Sequence, residues 1–386
     1  MSITISGGFT ASGGFTASGG GWTLSGPPLG FLLYSIGGYN SQGQLGLNDV
    51  IKRSSPVQVG TTNNWNNIDT FYTNSMATRK DGTLWTWGAA AYGILGLNAP
   101  NVYKSSPTQV GALTTWLNVS VGYTSALARK TDGTLWAWGR NNYSQLGINT
   151  GGEPRSSPVQ VGAGTTWLNI SAGTENSLAT TSDGKLYAWG RNYFAELGLN
   201  NTTQVDSPTQ VGALTNWVSV INKHTSTYAI KSDGTLWVWG RNSVGQLGVG
   251  DSISRSSPVQ VGALSTWLSV AGGSYGGAVA TQTNGKLFTW GYNNGGSMGG
   301  NGASNSPIQL GADTNWSLVA YNADTVAATK TTGTLWTWGF NNNGQLGQND
   351  LVYRSSPTQV GTGTGWLKVA VSNRRSIIAI AGDPLS

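Results

Sequence analysis

The chain has no cysteine and a single histidine, His224, among its 386 residues. Disulfides, thiolate nucleophiles and thiolate metal sites are therefore excluded, and one imidazole cannot form a histidine metal cluster. Glutamate is also scarce, and Glu153, Glu175 and Glu196 fall in three different sequence repeats. The sequence thus predicts a protein that is not an enzyme and that carries no metal and no cofactor.

Charged residues make up only 9% of the chain, whereas about 25% is typical of globular proteins. The excess of 21 Lys and Arg over 15 Asp and Glu gives a net charge of +6, which is a weak field over this length. The longest basic run is Arg374-Arg375, so we expect no nucleic-acid partner. No apolar run reaches the roughly 18 residues of a membrane span, and the N-terminus lacks a basic segment followed by an apolar one. We therefore expect no membrane span and no standard secretion signal.

What the chain has instead is a repeated tryptophan motif. The segment Thr134-Leu-Trp-Ala-Trp-Gly139 recurs with few changes at intervals of about 50 residues, a period typical of propellers and solenoids. Its copies begin at Thr83, Lys185, Thr235, Lys286 and Thr334. In an extended strand, alternate residues point to opposite faces, and neither face of this motif carries a charge. Both faces must therefore be covered by other parts of the protein.

Two further motifs occur once per repeat. Ser-Pro prolines lie at positions 56, 107, 158, 208, 258, 307 and 357, and a tryptophan follows each of them at 65, 116, 167, 217, 267, 316 and 366. Both series have seven members, which predicts seven units. Asp-Gly or Asn-Gly precedes the tryptophan motif at Asp81, Asp132, Asp183, Asp233 and Asn284. This dipeptide is the strongest signal for a two-residue type I′ hairpin turn, so we interpret these aspartates as turn residues and not as catalytic acids.

The motifs divide each unit into four short extended segments, and radially stacked four-stranded sheets would cover both faces of the tryptophan strand. The chain ends after Ser376-Ile-Ile-Ala-Ile380, before a seventh tryptophan motif, whereas Leu33-Tyr-Ser-Ile-Gly37 near the N-terminus matches that motif. An N-terminal strand would then complete the C-terminal sheet. The sequence therefore predicts an all-β, seven-bladed β-propeller of four-stranded antiparallel blades, closed by N- and C-terminal strands that share one blade.

Residues 1–26 differ from the rest, which divides the chain into an N-terminal arm and a propeller at 27–386. The arm is rich in Gly, Ser and Thr and repeats the segment Ser6-Gly-Gly-Phe-Thr-Ala11. In an extended chain, Ile3 and Ile5 would share a face, as would Phe9 and Phe15, which suits a segment laid against a partner. We expect an anchoring arm whose contacts come from Ile3, Ile5, Phe9, Phe15 and Trp22. The alternative is a solvated linker.

Several of these motifs occur together in one known family. The segments Trp138-Gly-Arg-Asn141, Gly245-Gln-Leu-Gly248, Ser-Ser-Pro-Val-Gln-Val-Gly and Asp-Gly-Thr-Leu-Trp resemble the regulator of chromosome condensation repeat over roughly residues 31–386. The resemblance implies a seven-bladed β-propeller in which the two termini share a blade. The family includes a guanine-nucleotide exchange factor that binds chromatin, a plant UV-B photoreceptor, a bacterial β-lactamase inhibitor and many bacterial and phage proteins.

The segment that follows the Trp116-x-x-Val119 type of strand differs from the family pattern and between repeats. Family members often carry histidine there, whereas this chain keeps only His224, and the photoreceptor's Gly-Trp-Arg-His-Thr pattern is absent. If that strand is innermost, as the resemblance implies, these segments are hairpins around the mouth of the central channel, where variable loops on a rigid frame commonly bind partners. We predict a partner-binding surface formed by Tyr72, Tyr123, Glu175, His224, Tyr275, Asp324, Arg374 and Arg375. The alternative is that each is an ordinary exposed loop residue.

A second recurring feature is a cation just before the Ser-Pro motif, at Arg53, Lys104, Arg155, Arg255 and Arg354. Five such cations could face an acidic partner, but we favour local capping or pairing, because exposed ion pairs contribute little. Arg140, Arg191 and Arg241, which follow Trp-Gly, receive the same interpretation.

The separate arm, the uncharged polar surface and the missing secretion signal favour a non-enzymatic phage virion component, such as a decoration, tail or adhesion protein. In this hypothesis the arm binds other virion or surface proteins, and the propeller loops contact a protein or glycan ligand. The alternatives are a soluble protein-binding or inhibitor propeller and, with less support, a guanine-nucleotide exchange factor. The expected location is the virion, and the alternative is the extracellular space or the cell surface of a bacterium.

Overall fold

The protein is a wheel of seven four-stranded antiparallel sheets, or blades. A computed structural model describes residues 15–18, 21–24, 30–99, 101–373 and 375–382, with side chains from residue 30 onward. Within each blade the chain runs from the inner strand through a second and a third strand to an outer strand. The inner strands of neighbouring blades contact one another all the way round, including blade 7 against blade 1. The predicted all-β propeller of seven blades is therefore confirmed.

The strands occupy equivalent positions in all seven blades, which we number by their inner strands. The inner strands of blades 1–7 are Trp65–Phe71, Trp116–Val121, Trp167–Ala172, Trp217–Asn222, Trp267–Gly272, Trp316–Asn322 and Trp366–Val371. The second strands are Asn74–Arg79, Ser125–Lys130, Asn176–Thr181, Ser226–Lys231, Gly277–Gln282, Thr325–Lys330 and Ser376–Ala381. The third strands are Leu84–Gly88, Leu135–Gly139, Leu186–Gly190, Leu236–Gly240, Leu287–Gly291, Leu335–Gly339 and, in blade 7, Leu32–Gly38. The outer strands are Lys104–Gln109, Arg155–Gln160, Val205–Gln210, Arg255–Gln260, Ser304–Gln309, Arg354–Gln359 and, in blade 7, Val57–Gln58.

The tryptophan motif forms the third strand and covers both of its faces. On one face, Trp138 is fully buried and meets Trp116 of its own blade edge-on, with ring centroids 6.3 Å apart. Its indole Nε1 donates a 2.6 Å hydrogen bond to the carbonyl of Ile94 in blade 1. On the other face, Leu135 and Ala137 pack against the blade 3 interface. The two-sided burial expected from the uncharged motif is thus present.

The same indole hydrogen bond links each of six blades to the blade before it. The other donors and acceptors are Trp87 to Gln44, Trp189 to Gln145, Trp239 to Glu196, Trp290 to Gln246 and Trp338 to Ser297. Because each tryptophan is buried at the interface and also satisfies a backbone carbonyl there, it fixes both the spacing and the register of adjacent blades.

The ring closes through blade 7, in which strands from both ends of the chain are paired. The N-terminal strand Leu32–Gly38 lies between Ser376–Ala381 and the short outer strand Val57–Gln58. Leu33 pairs with Ile380, and Ser35 pairs with Ile378. The predicted shared blade is confirmed.

The Asp-Gly turns differ from the sequence prediction. In blade 2, Lys130 N donates to Thr134 O, so the loop has three residues, Thr131-Asp132-Gly133, and not two. Only Gly133 has a positive φ, of 79°. The Asp132 carboxylate accepts hydrogen bonds from Thr134 N (2.9 Å) and Thr134 Oγ1 (2.7 Å). The two-residue type I′ prediction was wrong because a type I turn followed by a left-handed glycine also uses Asp-Gly; the role of the aspartates as turn residues is confirmed.

Two glycines with similar backbone angles provide a matched test of this loop. A Cβ on Gly133 (φ 79°) would lie 2.0 Å from the backbone oxygen of Thr165, whereas a Cβ on Gly111 (φ 59°) would meet nothing within 4 Å. We expect Gly111→Ala to cost about 1 kcal/mol for the left-handed backbone. Gly133→Ala should cost about 1–2 kcal/mol more because the next blade must move. Equal shifts of the two variants in urea denaturation would contradict this view of the loop.

The arm contains a hairpin of its own. Phe15–Ser18 pairs antiparallel with Gly21–Leu24, with Phe15 opposite Leu24 and Ser18 opposite Gly21. The arm therefore folds back here, where the sequence suggested an extended segment or a solvated linker. Ile3, Ile5, Phe9 and the boundary at residues 26–27 lie outside the described residues, as do the side chains of Phe15 and Trp22. Their role as an anchor stays a prediction.

Candidate binding face at the channel mouth

The predicted recognition residues lie at one end of the wheel, which we call the hairpin face. Each inner strand turns there into its second strand, and because strands alternate in direction, each third strand also ends there before its connection to the outer strand. Tyr72, Tyr123, Glu175, His224, Tyr275, Asp324 and Arg375 all fall in the inner hairpins or directly beside them. Arg374 lies outside the described residues. The sequence prediction that these positions share a face agrees with this topology.

Three of these residues form a cluster across blades 7, 1 and 2. The rings of Tyr72 and Tyr123 meet edge-on with centroids 5.1 Å apart. Arg375 donates a 2.9 Å hydrogen bond from Nη2 to the Tyr72 hydroxyl, and its guanidinium lies 4.5 Å from the centre of that ring. The same guanidinium lies 4.8 Å from the ring of Tyr39. Stacking of this kind holds an arginine in place while it keeps its charge.

A second cluster of charged groups lies over blades 3 and 4. Glu175 forms an ion pair with Arg191, and its side chain is only 14% exposed. Burial lowers the pKa of His224, and the nearby guanidiniums of Arg191 and Arg241 lower it further. Because both effects disfavour the imidazolium, His224 is neutral at physiological pH. This cluster therefore presents arginine and a neutral imidazole, with its carboxylate already paired.

A salt bridge crosses the central channel at the same end. Lys223 Nζ of blade 4 lies 3.3 Å from Asp69 Oδ1 of blade 1, and both side chains are largely buried. Asp69 also accepts a 2.8 Å hydrogen bond from Val121 N of blade 2. Below this pair, the inner strands of all seven blades line a polar cavity of about 310 Å³. The bridge narrows the channel, so a large partner at this end meets a surface and not an open bore.

Three arginines that follow Trp-Gly extend the face outward, and each lies near an aromatic ring of the preceding blade. Arg140 lies 5.0 Å from the ring of Tyr92, Arg191 lies 5.5 Å from Tyr143, and Arg241 lies 5.1 Å from Phe194. We call these three pairs the arginine–aromatic arc. The sequence interpretation of local pairing missed these cross-blade contacts, although the signal was present as an aromatic residue four positions after each Trp-Gly in blades 1–3.

Two of the predicted residues differ sharply in exposure. Tyr275 is 47% exposed, in keeping with a recognition surface. Asp324 is fully buried, and its carboxylate accepts a 3.0 Å hydrogen bond from Asn294 Nδ2. Because no partner can reach Asp324 in this conformation, we assign it to the frame and remove it from the predicted surface.

A buried carboxyl group beneath this face was not singled out by the sequence. Glu196 stands where blades 2 and 4 have Gln145 and Gln246, and it is only 2% exposed. Its Oε2 accepts a 2.6 Å hydrogen bond from Phe194 N, as the glutamine Oε1 atoms do from the equivalent amides. Burial nevertheless raises the pKa of Glu196 to about 7. The signal in the sequence was the single change from Gly-Gln-Leu-Gly to Ala-Glu-Leu-Gly.

The cations before the Ser-Pro motif form local contacts, as expected. Arg53 pairs with Asp49 and donates to Ile51 O, and Arg255 and Arg354 form the same pairs with Asp251 and Asp350. Arg155 donates to Pro154 O. Within residues 30–99, 101–373 and 375–382, these arginines serve loop structure, in contrast to the arginine–aromatic arc.

Metal-ligand and membrane-spanning features were also sought. Among the described residues, no group of three or more His, Cys, Asp or Glu side chains could hold a metal ion. The part of the chain that the structure describes contains no helix with the length and apolar character of a membrane span.

Comparison with known proteins identifies relatives of parts of the chain. It is 30% identical over 176 residues to the human protein named probable E3 ubiquitin-protein ligase HERC6, a match that covers 43% of this chain and 17% of that protein. It is 29% identical over 171 residues to the ultraviolet-B receptor UVR8 of Arabidopsis thaliana, covering 43% of this chain and 39% of the receptor. The chain thus spans well under two thirds of either relative.

Solved structures of similar shape cover nearly the whole chain. Human WBSCR16 superposes with a TM-score of 0.82 at 21% identity, covering 92% of this chain and 99% of that one. Prp20p from Saccharomyces cerevisiae superposes with a TM-score of 0.79 at 17% identity, covering 94% and 93%. At these identities the likeness shows the fold alone.

The repeats themselves match a known family profile. The profile described as the regulator of chromosome condensation (RCC1) repeat matches residues 81–129, 132–180, 183–222, 233–279 and 332–379. A second profile with the same description matches residues 116–145 and 167–195. Because the first profile covers more than half of the chain, and the blades have the expected form, this protein belongs to the regulator of chromosome condensation repeat family.

Proposed function

We propose that this chain is a non-enzymatic binding propeller that works as a phage virion component, with its hairpin face turned toward a protein or host-surface ligand. The observation that carries the binding role is the arginine–aromatic arc. Its side chains are not part of the repeated frame, because blade 5 has Tyr292 and blade 6 has Phe340 at the arginine position. The arc is accessible, since Tyr92 and the adjoining Tyr193 are 47% and 69% exposed. Exposed aromatic and arginine side chains are the residues that most often dominate binding.

The direction of the chain supports a division of labour between arm and face. The third strand of blade 7 begins at Leu32, at the end of the wheel opposite the hairpin face. Just before it, Phe31 N donates to Asn63 O. The arm therefore joins the propeller at the far end, so an anchor there would leave the hairpin face free. The Gly- and Ser-rich repeats of residues 1–26 and the nearly uncharged surface support the virion assignment.

Deleting residues 1–26 tests the anchoring role. We expect purified virions to contain the full chain and to lose the shortened chain, while the shortened chain keeps its thermal unfolding midpoint in solution. Immunoblots of purified particles and of the soluble fraction measure both. Retention of the shortened chain on particles would contradict the anchor, and absence of the full chain from particles would contradict the virion assignment.

Neutralising arginines tests the binding role of the hairpin face. The triple change of Arg140, Arg241 and Arg375 to Gln should slow adsorption of particles to host cells at least tenfold. The same change at Arg53, Arg255 and Arg354 is a matched control, because it removes the same charge from locally paired residues. Equal adsorption by the two variants would contradict the assignment of the face.

The second candidate is a soluble protein-binding propeller. It is favoured by solved relatives whose titles name protein partners, since Prp20p is described with Gsp1p and histones, and yeast RCC1 with Kap60. In that case the arm would be dispensable, and Tyr123→Ala with Tyr275→Ala would abolish capture of a partner in a pull-down. A nucleotide-release assay that shows no acceleration would remove the exchange-factor alternative.

A further inference from the structure

The third-to-outer connection of blade 1 departs from the pattern of the other six. Blades 2–7 each place an asparagine two positions after the last glycine of the third-strand motif, and in blade 2 Asn141 Oδ1 accepts a 3.0 Å hydrogen bond from Leu146 N. Blade 1 has Ala90 at this position, within the run Ala89-Ala90-Ala91. Small side chains thus replace the arginine and the two asparagines of blade 2. Departures from a repeated frame are where function is to be sought.

The run of alanines leaves a cleft between blades 1 and 2 on the outer part of the hairpin face. It has a volume of about 530 Å³ and is lined by Ala91, Tyr92, Asn101, Pro154 and Ser156. Small-molecule and glycan-sized sites typically have volumes of about 300–1,000 Å³. The cleft therefore has room for a sugar ring.

The backbone of blade 1 is shaped to present Tyr92 at this cleft. Tyr92 adopts a left-handed conformation with φ 57°, which is uncommon for a bulky residue, and it lies in the short 3₁₀ turn Ala91–Gly93. Ala90 O accepts hydrogen bonds from Gly93 N (3.1 Å) and Asn101 N (3.1 Å), which hold the turn and the Asn101 wall together. Such a conformation persists only where the surroundings enforce it.

The ring of Tyr92 is oriented but remains accessible. The guanidinium of Arg140 lies 5.0 Å from its centre, and the side chain is 47% exposed. The cleft thus combines an oriented aromatic ring with an amide at Asn101 and a hydroxyl at Ser156, and none of its five lining residues is charged.

We propose that this cleft, the blade 1–2 cleft, binds a neutral pyranose unit of a glycan. A pyranose has an apolar C–H face, which suits an aromatic ring, and a rim of hydroxyls that both donate and accept, which suits an amide and a hydroxyl. A proline-rich peptide is a poorer match, since such ligands use grooves lined by several aromatic rings, and Tyr92 is the one aromatic residue in this lining. The proposal deepens the proposed function and rests on the hairpin face being the binding face.

Saturation-transfer NMR on the full chain tests the proposal. The probes are hexasaccharides of glucose, mannose, galactose and N-acetylglucosamine, with a decaproline peptide as the competing class. We expect transfer to at least one hexasaccharide, and at least tenfold weaker binding of it by Tyr92→Ala. Tyr143→Ala is the matched control, because Tyr143 occupies the equivalent position in blade 2, and it should bind as the unmodified chain does.

A second variant closes the cleft without removing a lining residue. Ala90→Asn restores the residue of the other blades and should also abolish sugar binding, with the thermal midpoint showing that each variant is folded. No transfer to any hexasaccharide, equal transfer in Tyr92→Ala, or transfer to decaproline alone would overturn the proposal. Loss of sugar binding with normal incorporation into particles and a normal effect of the arginine variants would refute this inference only, and would leave the proposed function standing.

Discussion

Replacing Trp138 with alanine is expected to destabilise the propeller by about 3–5 kcal/mol. The indole is fully buried, it packs with Phe71 and Met76 of blade 1, and it satisfies the carbonyl of Ile94 across the interface. The substitution removes apolar contact from both blades and leaves that carbonyl without its donor. Because each blade contacts only its neighbours, one weakened interface is enough to open the ring.

Two controls separate the packing effect from the hydrogen bond. Trp138→Phe keeps most of the buried area and loses the indole N–H, so we expect a smaller cost of about 1–2 kcal/mol. Leu268→Ala changes a side chain that is 51% exposed on blade 5 and should shift the unfolding midpoint little. Denaturation midpoints measure all three variants. A Trp138→Ala variant as stable as Leu268→Ala would show that the tryptophans do not hold the blades together.

Glutamine in place of Glu196 is expected to stabilise the protein above neutral pH. Burial raises the pKa of this carboxyl from 4.5 to about 7, so the folded state keeps a proton that the unfolded state has lost. The stability contributed by the protonated group is fully present below pH 4.5 and is lost as pH rises to about 7. Over that window the loss is about 3 kcal/mol.

The test compares unfolding midpoints at pH 4.5 and pH 8. The unmodified chain and Glu196→Gln should differ little at the lower pH, and the variant should be more stable by several degrees at the higher pH. Gln145→Glu is the matched reciprocal change, because Gln145 is fully buried and accepts from Tyr143 N in the same way. It should introduce the same pH-dependent loss in blade 2. Parallel pH profiles for all three proteins would contradict the assignment.

The repeated motifs predicted the frame because each is a local pattern with one structural solution. An uncharged Trp-x-Trp strand needs cover on both faces, and the pairing of Leu33 with Ile380 followed from an unfinished C-terminal unit. The turn was predicted less well, because Asp132-Gly133 fits loops of two or three residues, and the choice depends on the contacts of Thr134.

The candidate site was predicted only as a set of positions. Which hairpin residues meet depends on side chains that are far apart in the sequence, such as Arg375 with Tyr72 and Lys223 with Asp69. No local pattern distinguishes the buried Asp324 from the exposed Tyr275, although both follow an inner strand. The blade 1–2 cleft likewise arises from what Ala89-Ala90-Ala91 lacks relative to blade 2.

A disulfide across blade 7 tests ring closure most directly, and the chain's lack of cysteine provides a clean background. Ser35 and Ile378 are direct partners on antiparallel strands from opposite ends of the chain. Directly paired residues have Cβ atoms about 4.5–5.5 Å apart, close enough for a disulfide after small adjustment. Ser35→Cys with Ile378→Cys should oxidise at low protein concentration to a monomer with one internal cross-link, read by mass spectrometry of peptides. Ser35→Cys with Ile377→Cys should stay reduced, because Ile377 points to the opposite face. A cross-link between two chains, or equal oxidation of both pairs, would contradict a wheel closed by its own two ends.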